Sequence, residues 1–156
     1  MALVMLHTGL RISELVALNV GDVFVTARKG ELVVRCGKGS KQRRIPLNSD
    51  VREVLQIYLS CPADPAEPLF KSVRGNRISV NAVDHYVRQL AREAGVEMSC
   101  HRIRHTCLSR LVRAGIDIVI VAEVAGHSRL ETTRRYSLPT ADVKIAAMEK
   151  LNYDPS

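Results

Sequence analysis

Apolar positions recur along the chain with two different periods, and these divide it into elements. Met1 to Leu6 is apolar throughout, Thr8-Gly9 interrupts the pattern, and Ile12 to Leu18 resumes it with helical spacing before a turn at Asn19 to Asp22. Glu31 to Cys36 alternates apolar and polar residues with β-branched side chains, and Arg43 to Leu47 is a second short extended run. Gly37-Lys38-Gly39-Ser40 between them supplies the permissive residues of a hairpin turn. The spacing then predicts a helix capped by Ser49 and running to about Ser60, with Val51, Val54, Leu55 and Leu59 on one face. Cys61 to Pro68 holds three prolines and reads as a loop. Ser79 or Asn81 caps the next helix, which ends near Gly95.

The second half is helical by the same criteria. His101 to Ala114 ends at Gly115, and Asp117 opens a helix that ends before Gly126. A short helical stretch runs from Ser128 through Tyr136. Pro139 stops it, and Thr140 caps a last helix to about Leu151 with Val143, Ala147 and Leu151 on one face. The expected fold class is therefore α+β, predominantly α-helical, with a small antiparallel sheet at one edge. A single domain over residues 1–156 suits the length. The apolar opening, without a polar lead-in or cap, gives the further expectation that the chain is a fragment lacking an upstream segment.

Charge changes this picture more than composition does. Hydrophobic residues make up 46% and charged residues 25%, ordinary for a globular protein, but 23 Lys and Arg against 16 Asp and Glu leave a net charge of +7. Such a surface favours a polyanion, nucleic acid first and anionic membrane second. No apolar run approaches the roughly 18 to 20 residues that span a bilayer, so no membrane association is expected. Cys36, Cys61, Cys100 and Cys107 are scattered, with no CxxC pair, and no signal peptide is evident. Both features point to free thiols in a reducing cytoplasm.

Cations gather at the ends of apolar stripes. Leu108, Leu111 and Val112 form the stripe of the His101 helix, and His101, Arg104 and His105 lie on that same side near its N-terminus, where unbonded N–H groups favour an anion. Hydrated side chains at a solvent-exposed helix end would satisfy the same pattern. Arg11 likewise stands at the head of a stripe with Leu15 and Leu18; its structural alternative is a pair with Glu14 or Asp22. The hairpin carries Lys38, Lys41, Arg43 and Arg44, which serve either solubility or a basic finger along DNA. Gly126-His127-Ser128 precedes Tyr136 by a short interval, with Arg134 and Arg135 beside the tyrosine.

Three other chemistries fit poorly. His101 and His105 with Cys100 and Cys107 superficially resemble a zinc cluster, but Arg102 and Arg104 lie among them and their charge opposes a dication. Clustered carboxylates for a two-metal nuclease and the glycine-rich lysine loop of nucleotide hydrolases are both absent. Neither a metal nor any other cofactor is expected.

Taken in order, Thr8-Gly9-Leu10-Arg11-Ile12-Ser13-Glu14-Leu15, Gly37-Lys38-Gly39-Ser40-Lys41 with Arg44-Ile45-Pro46-Leu47, His101-Arg102-Ile103-Arg104-His105-Thr106, and Gly126-His127-Ser128 with Thr132-Thr133 and Tyr136 resemble the tyrosine recombinases, also called the phage integrase family. The resemblance covers about Met1 to Pro139. It implies the catalytic domain of a DNA breaking-and-rejoining enzyme. Arg11, Arg104 and His127 would clamp the scissile phosphate, Lys38 would act as general acid, His101 would assist proton transfer, and Tyr136 would be the nucleophile. Lys41, Arg43, Arg44 and His105 would be DNA-binding. It also implies site-specific recombination or integration on double-stranded DNA, as in mobile elements, by a homotetramer on two sites, with nucleoid association and no nucleotide cofactor. The alternatives are a type IB topoisomerase-like relaxing enzyme and a catalytically inactive DNA-binding fragment. Two features depart from the pattern: Arg102 is unusually basic for its place, and Ala125 is smaller than the usual Leu. The resemblance also gives the expectation that the family's upstream DNA-gripping domain is missing from this chain.

Overall fold

A computed structural model describes residues 1–35, 42–61 and 63–127. The elements follow in the order α1 (Ala2–Thr8), α2 (Ile12–Ala17), a 3-10 turn (Val20–Asp22), β1 (Val23–Val25), β2 (Gly30–Val34), β3 (Arg43–Pro46), α3 (Ser49–Tyr58), α4 (Val80–Glu93), α5 (Cys100–Arg113) and α6 (Ile118–Ala125). The three strands form an antiparallel sheet in the order β1-β2-β3, with Val23 opposite Leu32, Leu32 opposite Ile45 and Val34 opposite Arg43. Sequence pattern anticipates β2 and β3 but not β1, whose three residues are too few to display an alternation.

Helix limits come from local chemistry. Asn48, not Ser49, caps α3: its Oδ1 accepts the Val51 N–H at 3.1 Å, while the Ser49 hydroxyl turns to Asp50. Either side chain suits a cap, and the neighbouring residue holds the extended backbone that the position requires. Val51 and Leu55 of α3 are buried as expected, but Val54 faces solvent at 42% exposure. Ser79 and Ser99 cap α4 and α5, and Asp117 caps α6.

The main core joins Val4 and Met5 of α1, Leu10 of the link and Leu15 of α2 to Leu32 and Ile45 of the sheet, Leu55 of α3, Val83 of α4 and Ile103 of α5. A smaller cluster of Leu108, Val121 and Ala125 fastens α6 onto α5. Gly9 ends α1 in the left-handed region at φ +64°, and its position lies against Leu108 and Cys107. A side chain there would meet both the torsional penalty and a neighbour at 3.3 Å. The close approach sets α1 against α5 and brings the α1–α2 corner to the end of α6.

Candidate active site

The arrangement begins with a helix that runs out of partners. At the end of α6, Gly126 turns left-handed at φ +63°, the Gly126 N–H donates to the Glu123 carbonyl, and the His127 N–H donates to the Ala122 carbonyl. This closure satisfies two of the last carbonyls and leaves the following ones to other donors. Three arginines from three different elements supply them. Arg43 Nε donates to the Val124 carbonyl at 3.0 Å, Arg104 Nη2 to that of Ala125 at 2.8 Å, and Arg11 Nη2 to that of Gly126 at 3.2 Å. The negative end of the helix dipole favours the three positive charges collected there.

Arg11 occupies the residue before α2, with extended backbone. Its N–H donates to Glu14 Oε2 at 2.8 Å, and its Nη1 donates to Glu14 Oε1 at 2.9 Å. The side chain stays 41% exposed, so the guanidinium edge reaches solvent while its base is fixed. Arg104, by contrast, is buried on α5. Its Nη1 donates to the Gly9 carbonyl and its Nη2 also lies 3.1 Å from His127 Nε2. The Gly9 and Ala125 carbonyl oxygens accept from this buried cation, and the helix end contributes partial negative charge.

Glu14 is the acidic centre of the group. It accepts both Nη groups of Arg43 at 2.9 Å as well as the two bonds from Arg11. Burial alone raises the Glu14 carboxyl, yet the hydrogen bonds from Arg43 and from the Arg11 backbone, with the Arg43 charge, hold it below the usual carboxylate range. Glu14 is thus an anion that fixes two cations.

The structure brings together Arg11, Arg104 and His127 among the sequence-predicted catalytic residues. His101 is exposed in the first turn of α5, one turn before Arg104 on the same face. Lys38, Tyr136 and the helix expected from Thr140 to Leu151 lie outside the described residues, as does Lys41. Of the cations expected to meet DNA, Arg44 is exposed and paired with Glu31, and His105 is exposed beside the Ser109 hydroxyl. Arg43 is buried, its guanidinium directed inward. The alternative pairing of Arg11 with Asp22 does not occur: Asp22 is bound to Arg35.

Two organising residues had weaker sequence signals. Glu14 stands three positions after Arg11, which suggested a pair but not its second arginine. Arg43 shares the strand phase of Ile45, both inward, while Arg44 and Pro46 face out. That alternation was the available clue. Among the described residues no group of three or more His, Cys, Asp or Glu side chains is placed to hold a metal ion, and no helix is long and apolar enough to cross a membrane.

Chemically, the corner offers two guanidinium groups and an imidazole, preset by backbone carbonyls and one carboxylate. Such donors stabilise negative charge on a tetrahedral or pentacovalent centre without reorganising. A forked guanidinium matches two non-bridging phosphate oxygens at once.

Comparison with known proteins converges on one group. The family model described as Phage integrase family matches residues 1–141. Tyrosine recombinase XerA of Pyrococcus furiosus is 36% identical over 153 residues, which is 96% of this chain and 53% of that protein. Tyrosine recombinase XerC of Chlamydia pneumoniae is 34% identical over 145 residues, 88% of this chain and 45% of that one. Among solved structures, XerA recombinase superposes with a TM-score of 0.77 at 27% identity, over 97% of this chain and 56% of its own. The Tn1549 transposon integrase in complex with circular intermediate DNA gives 0.82 at 25% identity, over 96% and 58%. The chain spans about half the length of the curated relatives it matches.

Proposed function

The chain belongs to the phage integrase family, and from that premise we propose that it cleaves and rejoins double-stranded DNA through a covalent 3′-phosphotyrosyl intermediate. In this reading Arg11, Arg104 and His127 hold the non-bridging oxygens of the scissile phosphate. Tyr136 Oη attacks phosphorus, a new P–O bond forms to the tyrosine, and the bond to the 5′ oxygen breaks. The phenol proton leaves by way of His101, and the Lys38 ammonium protonates the departing 5′ oxygen. Rejoining reverses these transfers. The phosphodiester energy is kept in the tyrosyl ester, so no nucleotide is consumed.

The observation that supports this reading best is the convergence of Arg11, Arg104 and His127, far apart in sequence, on the Gly126 corner. Attack on a phosphodiester needs fixed positive charge around the non-bridging oxygens, and a phenol with an ordinary pKa of about 10 needs positive surroundings to favour its anion. The net charge of +7 adds a general attraction for the DNA backbone. Site-specific recombination between two DNA sites by a homotetramer, with Lys41, Arg44 and His105 against DNA, completes the proposal. A single catalytic domain over residues 1–156, acting on cytoplasmic, nucleoid-associated DNA, is its setting.

Incubation with a library of nicked duplexes of randomised sequence tests the chemistry. The wild-type chain is expected to give a denaturant-stable protein–DNA adduct, and Tyr136→Phe none. A DNA-binding wild-type protein without adduct would overturn the assignment as an enzyme. An adduct surviving in Tyr136→Phe would overturn the choice of nucleophile.

A further inference from the structure

Arg43 stands apart from the other arginines of the cluster. Its side chain is only 7% exposed, and the Glu14 side chain against it 16%. Three of its five N–H donors have defined acceptors: Nη1 and Nη2 bind the two Glu14 oxygens at 2.9 Å, and Nε binds the Val124 carbonyl at 3.0 Å. The same guanidinium lies flat against Gly126. A Cβ at that glycine would fall 2.6 Å from Arg43 Nη1 and 2.7 Å from Cζ. One planar group therefore touches the carboxylate that fixes Arg11 and the corner that carries His127. It also opens β3, where Val34 is its cross-strand partner and Ile45 its inward-facing companion.

We infer that Arg43 is a positioning residue of the reaction: its buried guanidinium, clamped between Glu14 and the Val124 carbonyl, sets Arg11 and the Gly126–His127 corner at their working separation and does not contact DNA. This inference rests on the strand-cleavage reading above. A lysine is no substitute. Its point charge cannot span both carboxylate oxygens and a carbonyl on the far side, whereas the rigid fork of arginine does so in one plane. The burial also separates two kinds of loss. A phosphate contact contributes about 0.9 to the slope of log affinity against log salt, but an internal clamp contributes nothing to it. A displaced clamp shifts catalytic groups instead, and a misplacement of about 1 Å costs on the order of 100-fold in rate.

The test uses Arg43→Met and Arg43→Lys beside the wild-type chain. Adduct formation at saturating nicked-duplex library gives the rate, and binding to a mixed-sequence linear duplex over a range of salt gives affinity and slope. The expected result is a rate lowered about 100-fold in Arg43→Met, with at most partial recovery in Arg43→Lys and the salt slope unchanged in both. A slope reduced by about 1 in Arg43→Met and restored in Arg43→Lys would make Arg43 a phosphate contact and overturn the inference. An unchanged rate would overturn it too. Where Arg43→Met is unfolded at the assay temperature by circular dichroism, Arg43→Lys decides on the same two readouts. If neither variant folds, Arg43 is a stability residue and the inference fails. A wild-type chain that yields no adduct defeats the strand-cleavage reading instead, and the salt slopes still report whether Arg43 meets DNA.

Discussion

Removal of the Glu14 carboxylate strands a buried cation, and the cost follows from the geometry. Glu14→Ala deletes the acceptor of four hydrogen bonds, two from Arg11 and two from Arg43. Arg11 is 41% exposed and recovers solvation in water, but Arg43 at 7% does not. Breaking a buried pair by deleting one member costs about 3 to 5 kcal/mol, because the remaining charge stays desolvated. For a chain of this length about 1 kcal/mol shifts the melting temperature by roughly 3 °C, so Glu14→Ala should melt about 9 to 15 °C below wild type. Glu67→Ala provides the internal comparison. Its partner Lys71 and Glu67 itself are both about two-fifths exposed, and the loss there should stay below about 1 kcal/mol. The double variant Glu14→Leu with Arg43→Met replaces the whole pair by apolar groups and should regain most of the stability lost in Glu14→Ala. Urea unfolding followed by circular dichroism measures all four proteins. A Glu14→Ala variant within about 1 kcal/mol of wild type, or a double variant no more stable than Glu14→Ala, would refute the argument from burial.

Acid should report the same carboxylate. Its folded pKa lies below the unfolded value, so its contribution to stability is complete above the ordinary carboxylate range and is lost as the pH falls through the depressed folded value. Wild type should therefore lose more stability between about pH 5 and 3 than Glu14→Gln does, and parallel urea midpoints across that range would contradict it. Gly126→Ala and Gly95→Ala both force an alanine into positive φ, at about 1 to 2 kcal/mol each. Only the first meets a neighbour, the Arg43 guanidinium, so it should melt lower than Gly95→Ala, and equal losses would mean that Arg43 does not rest on Gly126. Burial pushes the Cys107 thiol up, and burial with the nearby Asp84 charge does the same for Cys100, while Cys61 is exposed. Alkylation mapped by mass spectrometry should mark Cys61 in the native protein and the other two only in urea; native labelling of Cys107 at the rate of Cys61 would contradict its packing against Gly9.

Much of this architecture was legible because its signals are local. The glycines at 9, 95 and 126, the serine and aspartate caps and the periodic apolar stripes each act within one or two turns, so helix limits fall close to where the pattern puts them. The failures are equally physical. β1 is a strand because β2 pairs with it, which its three residues alone do not announce. Val54 follows the apolar spacing of α3 yet faces solvent, since spacing fixes a side of the helix but not how far the neighbouring elements extend over it. At the site, the motif residues Arg11, Arg104 and His127 could be named from sequence, but the anchoring of Arg43, Arg104 and Arg11 on the consecutive carbonyls of Val124, Ala125 and Gly126 could not. It depends on contacts such as that between Arg11 and Gly126, separated by most of the chain. Arg43 shows the limit most clearly. Its neighbours on the hairpin are basic, and only the strand phase it shares with Ile45 marks it as an inward residue.

The account depends on one phosphate being gathered by side chains from α2, α5 and the end of α6. A crystal structure of the chain with bound duplex DNA tests this directly. The expected result is a single phosphorus whose non-bridging oxygens lie about 3 Å from nitrogen atoms of Arg11, Arg104 and His127. DNA seated on another face, with no phosphate at the Gly126 corner, would contradict it.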